Sequence, residues 1–269
     1  MHSIAELIEF LEALAPPALA EEWDNVGLLL GDRRQHAERV MTCLTITPGV
    51  VAEARERRAE LIVAHHPLPF RPLKQLTTDT HAGALIWKLA AQQTAVYSPH
   101  TAFDSAGQGI NQQLAEGLGL GDIRPLVARP GQSEGLGAGR YGRLDQPLEL
   151  AALAQRVKRF LRVEQVQVAG QVQVAGQGGQ RLSRIAVACG SGGEFFAAAL
   201  AAGCQCLVTG EARFHTCLEA EAAGCALVLA GHYATERFGV EQLAKVLAQK
   251  FADLDVWASS AEQDPLRWC

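Results

Sequence analysis

The chain has 269 residues, 48% of them hydrophobic, which is enough to bury a large core as two domains or as two lobes of one. A formal net charge of −5 leaves no electrostatic footprint for a phosphate backbone, so nucleic acid is not an expected partner. No apolar run approaches bilayer length, and the seven cysteines lie scattered through apolar segments such as those around Cys43, Cys189, Cys204, Cys206 and Cys225, without paired zinc-type spacings; this reads as a cytoplasmic protein with buried thiols.

The stretch Ile4 to Leu14 reads as a helix, and Glu6, Glu9 and Glu12 make it neither a signal peptide nor a membrane span. Val40 to Thr47 follows as a strand, Gly49 to Ala59 as a helix and Leu61 to Ala64 as the next strand. On the helix, Arg55, Arg57 and Arg58 alternate with Glu53, Glu56 and Glu60, the pattern of a solvated face. Two adjacent histidines, His65 and His66, close the second strand, and Pro67 stops it. Neighbouring side chains of a continuing strand point to opposite faces, so the pair can serve one metal only where the strand ends and the chain turns. Pro67 provides that end, because it lacks a ladder donor and biases His66 toward extended geometry. A helix at about Ala82 to Gln92, a strand from Thr94 to Ser98 and a helix from Gly109 to Gly117 complete the first half.

Between the halves, Gly135 to Gly142 lacks the strand before and the helix after that a nucleotide-binding fingerprint needs, so it is expected as a loop running into an edge strand. Val166 to Gly176 alternates polar and apolar residues and breaks at Gly178-Gly179, as an edge strand or hairpin does. The strand–helix order then returns: Arg184 to Cys189, Gly193 to Ala202, Cys206 to Thr209, Arg213 to Ala223, Ala226 to Ala230 and Thr235 to Phe251. Alternation of this kind implies parallel crossovers with helices on the faces of a sheet. The expectation is therefore an internally duplicated α/β protein, with residues 1–125 as a first lobe, 126–269 as a second, and an edge-strand and hairpin region at about 135–182.

The third strand of each half ends in matching chemistry. His100 is followed four residues later by Asp104, and His232 four residues later by Glu236. If the chain turns or enters a helix there, the four-residue step returns each carboxylate to the side of its imidazole. In open α/β sheets the carboxyl ends of the strands are where ligands bind.

In these motifs the chain resembles the dinuclear-metal family of GTP cyclohydrolase 1 type 2 homologues, also called NGG-interacting-factor-three-like proteins. The resemblance rests on Trp23-Asp24-Asn25-Val26-Gly27-Leu28, Ala64-His65-His66-Pro67, His100-Thr101-Ala102-Phe103-Asp104, Thr209-Gly210-Glu211 with His215, and Gly231-His232-Tyr233-Ala234-Thr235-Glu236. It implies two similar α/β lobes with the metal site in the cleft between them, a homohexameric ring, and the short form without a central insert domain. It also implies His65, His66, Asp104, His232 and Glu236 as metal ligands, with His100 close by as a catalytic or ligand-orienting histidine. Where the family usually has Asn-Leu, this chain has Ala102-Phe103, a change expected to alter the pocket wall.

Three imidazoles and two carboxylates without a thiolate suit zinc, iron, manganese, nickel or cobalt. Five protein groups exceed what one open catalytic ion takes and match two divalent ions per chain, with Glu236 as the bridging carboxylate. Water shared by two such ions is acidified toward neutral pH, so a metal-dependent hydrolase acting on a nucleotide-like or other small-molecule substrate is the leading expectation. The alternative is a non-catalytic metal-holding ring that recruits partner proteins. Asp24 and Asn25 read equally as site residues or as a backbone turn, and Glu211 as a pocket residue or a helix cap, with His215 beside it in the second tier.

Overall fold

The computed structural model describes residues 2–131, 135–170 and 181–267. Helix Ile4–Leu14 begins at a capping box: Ser3 Oγ accepts from the Glu6 amide, and the Glu6 carboxylate accepts from the Ser3 amide. Its buried stripe is Ile4, Leu7, Ile8 and Leu11, the spacing of one helical face.

By its contacts the chain divides into two compact units, Met1–Phe103 with Arg237–Cys269, and Asp104–Glu236. These bounds differ from the expected 1–125 and 126–269. The reason lies at the C-terminus, where strand Asp255–Ala258 pairs in parallel with Arg39–Cys43 and returns the end of the chain to the first unit.

The first unit holds a five-stranded sheet in the order Asp255–Ala258, Arg39–Cys43, Leu61–Ala64, Ala95–Ser98, Gly27–Leu30. The first four run parallel, and Gly27–Leu30 closes the edge antiparallel to Ala95–Ser98. Leu61–Ala64 and Ala95–Ser98 are buried at every position, which is why they read as unbroken apolar runs and not as alternating ones. Helix Pro48–Glu56 starts on Thr47, whose hydroxyl accepts from the Val50 amide, with Pro48 in the first turn. One helix face packs Val50, Val51 and Ala54 against Met41, Ile62 and Val96. Arg55, Arg57 and Arg58 face solvent as expected, but Glu53 does not: it is buried and turned inward.

The second unit holds a six-stranded sheet in the order Leu120–Ala128, Gly137–Leu148, Leu182–Ala188, Cys206–Thr209, Ala226–Leu229, Gln167–Ala169. Leu182–Ala188, Cys206–Thr209 and Ala226–Leu229 run parallel, and Gln167–Ala169 lies antiparallel on the last of them. Each unit taken by itself thus has three parallel strands in chain order with an antiparallel strand beside the third. That shared core is the duplication read from the sequence.

The glycine-rich stretch is not an edge. Gly137–Leu148 lies inside the sheet, between Leu120–Ala128 and Leu182–Ala188. Its glycines admit a close neighbour: a Cβ on Gly142 would stand 2.6 Å from the Gly121 carbonyl oxygen. The segment Val166 to Gly176 is described only to Gly170, where Gln167–Ala169 does form an edge strand; Gly178-Gly179 lies outside the described residues. Among the described residues no helix is long and apolar enough to cross a membrane. Cys43, Cys189, Cys204, Cys206 and Cys225 are free and buried, as their apolar neighbours suggested.

Candidate metal centre

Beyond Ala64 the ladder continues for two residues, since the His65 amide donates to the Cys43 carbonyl at 2.9 Å and the His66 amide to the Leu44 carbonyl at 2.8 Å. The backbone of both histidines is thereby fixed before Pro67 ends the pairing. His65 is buried and His66 half-buried, and their rings stand 5.2 Å apart at 51°. His100 joins them from the end of the neighbouring strand Ala95–Ser98, with its ring 5.1 Å from His65 and 5.6 Å from His66. One nitrogen from each of His65, His66 and His100 lies within 4.8 Å of the others, a grouping able to hold a metal ion.

Two of these rings are oriented from behind. Asp24, whose side chain is fully shielded from solvent, takes His100 Nδ1 at 2.7 Å and accepts from the Thr101 amide at 3.1 Å and from the Thr101 hydroxyl. Burial pushes the Asp24 carboxyl up, but the bonds from His100 and Thr101 outweigh it and hold the group at about 2. Asp24 is therefore an anion at neutral pH and places a proton on His100 Nδ1, leaving Nε2 toward the cluster. His100 itself sits at φ 25, a strained value for a residue with a side chain. His66 Nδ1 shares a 2.7 Å hydrogen bond with the Thr45 hydroxyl, and the Leu44 and Thr45 amides both donate to the buried Glu262.

In the second unit, His232 opens helix His232–Lys250 and Glu236 lies one turn on, so that His232 Nε2 and Glu236 Oε2 are 3.0 Å apart. His232 Nδ1 meets Glu211 Oε1 at 3.0 Å. An imidazole between two carboxylates holds a proton tightly: the Glu236 bond, followed by the charges of Glu236 and Glu211, outweighs burial and pushes His232 up to about 9. The same negative surroundings suit a divalent cation in the proton's place, and imidazole with carboxylate is the donor chemistry zinc, iron or manganese take. Asp104 is half-buried; its carbonyl accepts from Asn111 Nδ2 at 3.1 Å, and its Oδ1 takes the Cys189 thiol at 3.2 Å. Burial, then the charge of Asp104, pushes the Cys189 thiol well above its ordinary range, so it stays protonated as a donor to the carboxylate.

Gly190 is what lets Glu236 lie where it does. Its φ is +58, and a Cβ there would collide with Glu236 Oε1. Gly190→Ala is therefore expected to lower the unfolding free energy of the metal-free protein by about 1–3 kcal/mol, through strain and displacement of the Glu236 carboxylate. Urea unfolding measures it, and a loss below about 0.5 kcal/mol would show that the carboxylate moves aside at no cost.

The structure thus gathers His65, His66 and His100 in one unit and pairs His232 with Glu236 in the other. Asp24, open between site and turn, serves both, since the Asn25 amide also donates to Asp24 Oδ1 at 2.8 Å. Glu211 caps no helix and instead holds His232, while His215 is exposed beside Phe214. Ala102 and Phe103 are both buried. Thr45 and Glu262 carry no sequence signal for the site, and Cys189 reads from the sequence only as a buried thiol. Only their distance from candidate ligands in space reveals them, apart from Cys189, which directly follows a strand end.

Comparison with known proteins gives a uniform result. The model of the Duf34/NIF3 (NGG1p interacting factor 3) family matches residues 2–265. A GTP cyclohydrolase 1 type 2 homolog from Clostridium acetobutylicum is 32% identical over 244 residues, covering 91% of this chain and 89% of that protein. A relative of the same name from Nostoc sp. is 36% identical, covering 97% and 96%. Among solved structures, the Staphylococcus aureus hypothetical protein SA1388 superposes with a TM-score of 0.88 at 27% identity, with 99% of each chain covered.

Proposed function

The chain belongs to the Duf34/NIF3 family, and on that premise we propose that it is a metal-dependent hydrolase of a small, nucleotide-like substrate, holding two divalent ions per chain. The observation that carries the reading is the gathering of His65, His66 and His100 within one ligating distance range, with His100 pinned by an ionised Asp24. The name these relatives carry, GTP cyclohydrolase 1 type 2 homolog, supports a nucleotide-like substrate. The ligands this reading requires are His65 and His66 from the first unit and Asp104, His232 and Glu236 from the second. Homohexameric assembly belongs to the same proposal and is tested by light scattering of the purified protein.

When bound, divalent ions supply Lewis acidity and an acidified water. The remaining work falls to the chain. Asp24 fixes the tautomer of His100, so that His100 Nε2 can take or return a proton at the reacting atom. The Thr45 hydroxyl fixes the ring plane of His66, and the Cys189 thiol with Asn111 fixes Asp104. Burial of His65 and Glu236 keeps water from competing for their donor atoms.

Elemental analysis after reconstitution is expected to find about two ions per chain, and saturation at one would remove the paired-ion reading. Glu236→Gln keeps the size of the side chain that would help hold the ions but loses its charge and one acceptor, and is expected to release at least one ion. His100→Ala is expected to keep most of the metal and lose about 100-fold or more in turnover. If His100→Ala empties a site while Glu236→Gln keeps both ions, the two roles are reversed. Metal-loaded protein inert toward nucleotides, phosphoesters and cyclic amides would favour a metal-holding ring without turnover.

A further inference from the structure

Two large aromatic side chains stand open beside the histidine cluster. Trp23 is 62% exposed and Phe70 49%, although both come from loops held in place. The Trp23 loop is tied by Asp24 to His100 and Thr101, and by the Glu21 amide, which donates to the Thr101 hydroxyl at 3.0 Å. Asn25 Nδ2 donates at 2.8 Å to the Pro69 carbonyl, which joins that loop to the one carrying Phe70. The two rings are 5.9 Å apart at 42°, and each stands 6.0 Å from His100 at a steep angle. Trp23, Phe70, His100, His65 and His66 thus form one continuous set of rings within the first unit, its inner members polar and its outer members apolar and uncovered.

From this arrangement we infer that Trp23 and Phe70 are a stacking platform that takes the flat heteroaromatic ring of the substrate and orients it toward His100. The inference deepens the hydrolase reading and rests on it for what the ring is oriented toward. A tryptophan left largely in water and anchored on both sides by hydrogen bonds gains nothing for folding from its exposure, whereas a preformed aromatic face is what a planar ligand needs to bind without an ordering cost. The spacing also fixes how the ring lies. A ring sandwiched between two walls needs them about 7 Å apart, two contact distances, and 5.9 Å is too close. The ligand therefore stacks on the outer face of the tilted pair, edge-on to His100, and is not gripped between the two rings. Stacking of this kind tolerates many rings, so the platform sets the class of ligand, planar and heteroaromatic, and the polar groups beside it set the member.

The test uses the full chain with guanosine, GTP and inorganic tripolyphosphate as probes. Trp23→Ala and Phe70→Ala are each expected to weaken guanosine and GTP binding about 5- to 100-fold, while metal content and tripolyphosphate affinity stay within about twofold of the parent. Trp23→Phe is expected to recover most of the loss, because it restores an aromatic face. Guanosine is measured on metal-free protein as well, so that a failure of metal uptake, which would sink the hydrolase reading, is separated from a failure of the platform. Parent protein that binds neither guanosine nor GTP, or variants that weaken tripolyphosphate as much as guanosine, would overturn the inference. So would a Trp23→Ala variant that changes the oligomeric state and leaves guanosine affinity untouched, since the rings would then cover a subunit contact.

Discussion

Replacing Arg140 with methionine is expected to lower the unfolding free energy of the second unit by about 3–5 kcal/mol. Arg140 is completely buried and meets no carboxylate among the described residues. Its guanidinium instead donates to four backbone carbonyls, Gly137 at 2.6 Å, Gly139 at 2.7 Å, Ser105 at 3.1 Å and Ala106 at 2.7 Å, and to Gln112 Oε1 at 2.9 Å. Burial pulls the guanidinium down to about 10, which still leaves it a cation at neutral pH, so each carbonyl receives a charge-assisted bond. Methionine fills much of the volume and leaves all four carbonyls without that donor, each at a desolvation cost. Lysine keeps the charge but has three donors on one atom and cannot span both pairs of carbonyls, so Arg140→Lys is expected to recover less than half of the loss. Urea unfolding of the metal-free variants checks both. A loss below about 1 kcal/mol for Arg140→Met would mean that water replaces the guanidinium. Because Ser105 and Ala106 follow Asp104 directly, the same variant is expected to loosen a candidate ligand as well.

That role could not have been read from the sequence, and the reason separates what was legible here from what was not. A strand buried on both faces announces itself as an apolar run, so Leu61–Ala64, Cys206–Thr209 and Ala226–Leu229 were placed to the residue or within one. The histidines at their ends were legible for the same reason, as polar residues where an apolar run stops. Leu120–Ala128 is mostly exposed and gives no run, whereas Gly27–Leu30 does carry one in Leu28-Leu29-Leu30, too short and too close to the Asp24-Asn25 turn to be assigned as a strand by itself. Asp255–Ala258 was missed because its partner strand lies some two hundred residues earlier, and that pairing, with the bonds of Glu53 and Glu262, holds the C-terminus in the first unit. Helix Leu150–Leu161, by contrast, is legible, since Leu150, Leu153, Ala154, Val157 and Leu161 recur at helical spacing.

Asp24 and Glu53 show the same limit at the level of single side chains. An acid next to an asparagine is a turn by local chemistry, and only a fold that brings Thr101 and His100 across 76 residues turns it into the partner of an imidazole. Glu53 sits in a run of alternating charge that reads as solvated, yet one helical turn carries it to the side of the C-terminal segment. Charge patterning names the exposed majority of a helix and is silent about the one member that has a distant set of donors.

That set makes Glu53→Ala the second substitution with a large expected effect, about 2–4 kcal/mol of stability in the first unit. Glu53 Oε1 accepts from Trp257 Nε1 at 3.1 Å, and Oε2 from the Ser259 hydroxyl at 2.6 Å and the Ala261 amide at 3.0 Å, with the Ser260 amide and hydroxyl adding to the group. Removing the carboxylate strands several donors and frees the segment that follows strand Asp255–Ala258; the amide protons of Ser260 and Ala261 are expected to lose their protection from exchange. Burial pushes the Glu53 carboxyl up, but the bonds from Ser259, Ser260 and Ala261 outweigh it and hold the group below its ordinary 4.5. The sign of the pH dependence follows: an acid lowered in the folded state contributes fully above its unfolded pKa, and that contribution fades as pH falls through the lowered folded value. The stability gap between parent and Glu53→Ala should therefore be widest at neutral pH and narrow as the solution is made acid. Glu53→Gln, which keeps one acceptor but turns an NH2 group toward N–H and O–H donors, should fall between them at neutral pH and show no such narrowing of its own. A gap independent of pH between neutral and acid would mean that the carboxylate acts only by filling space.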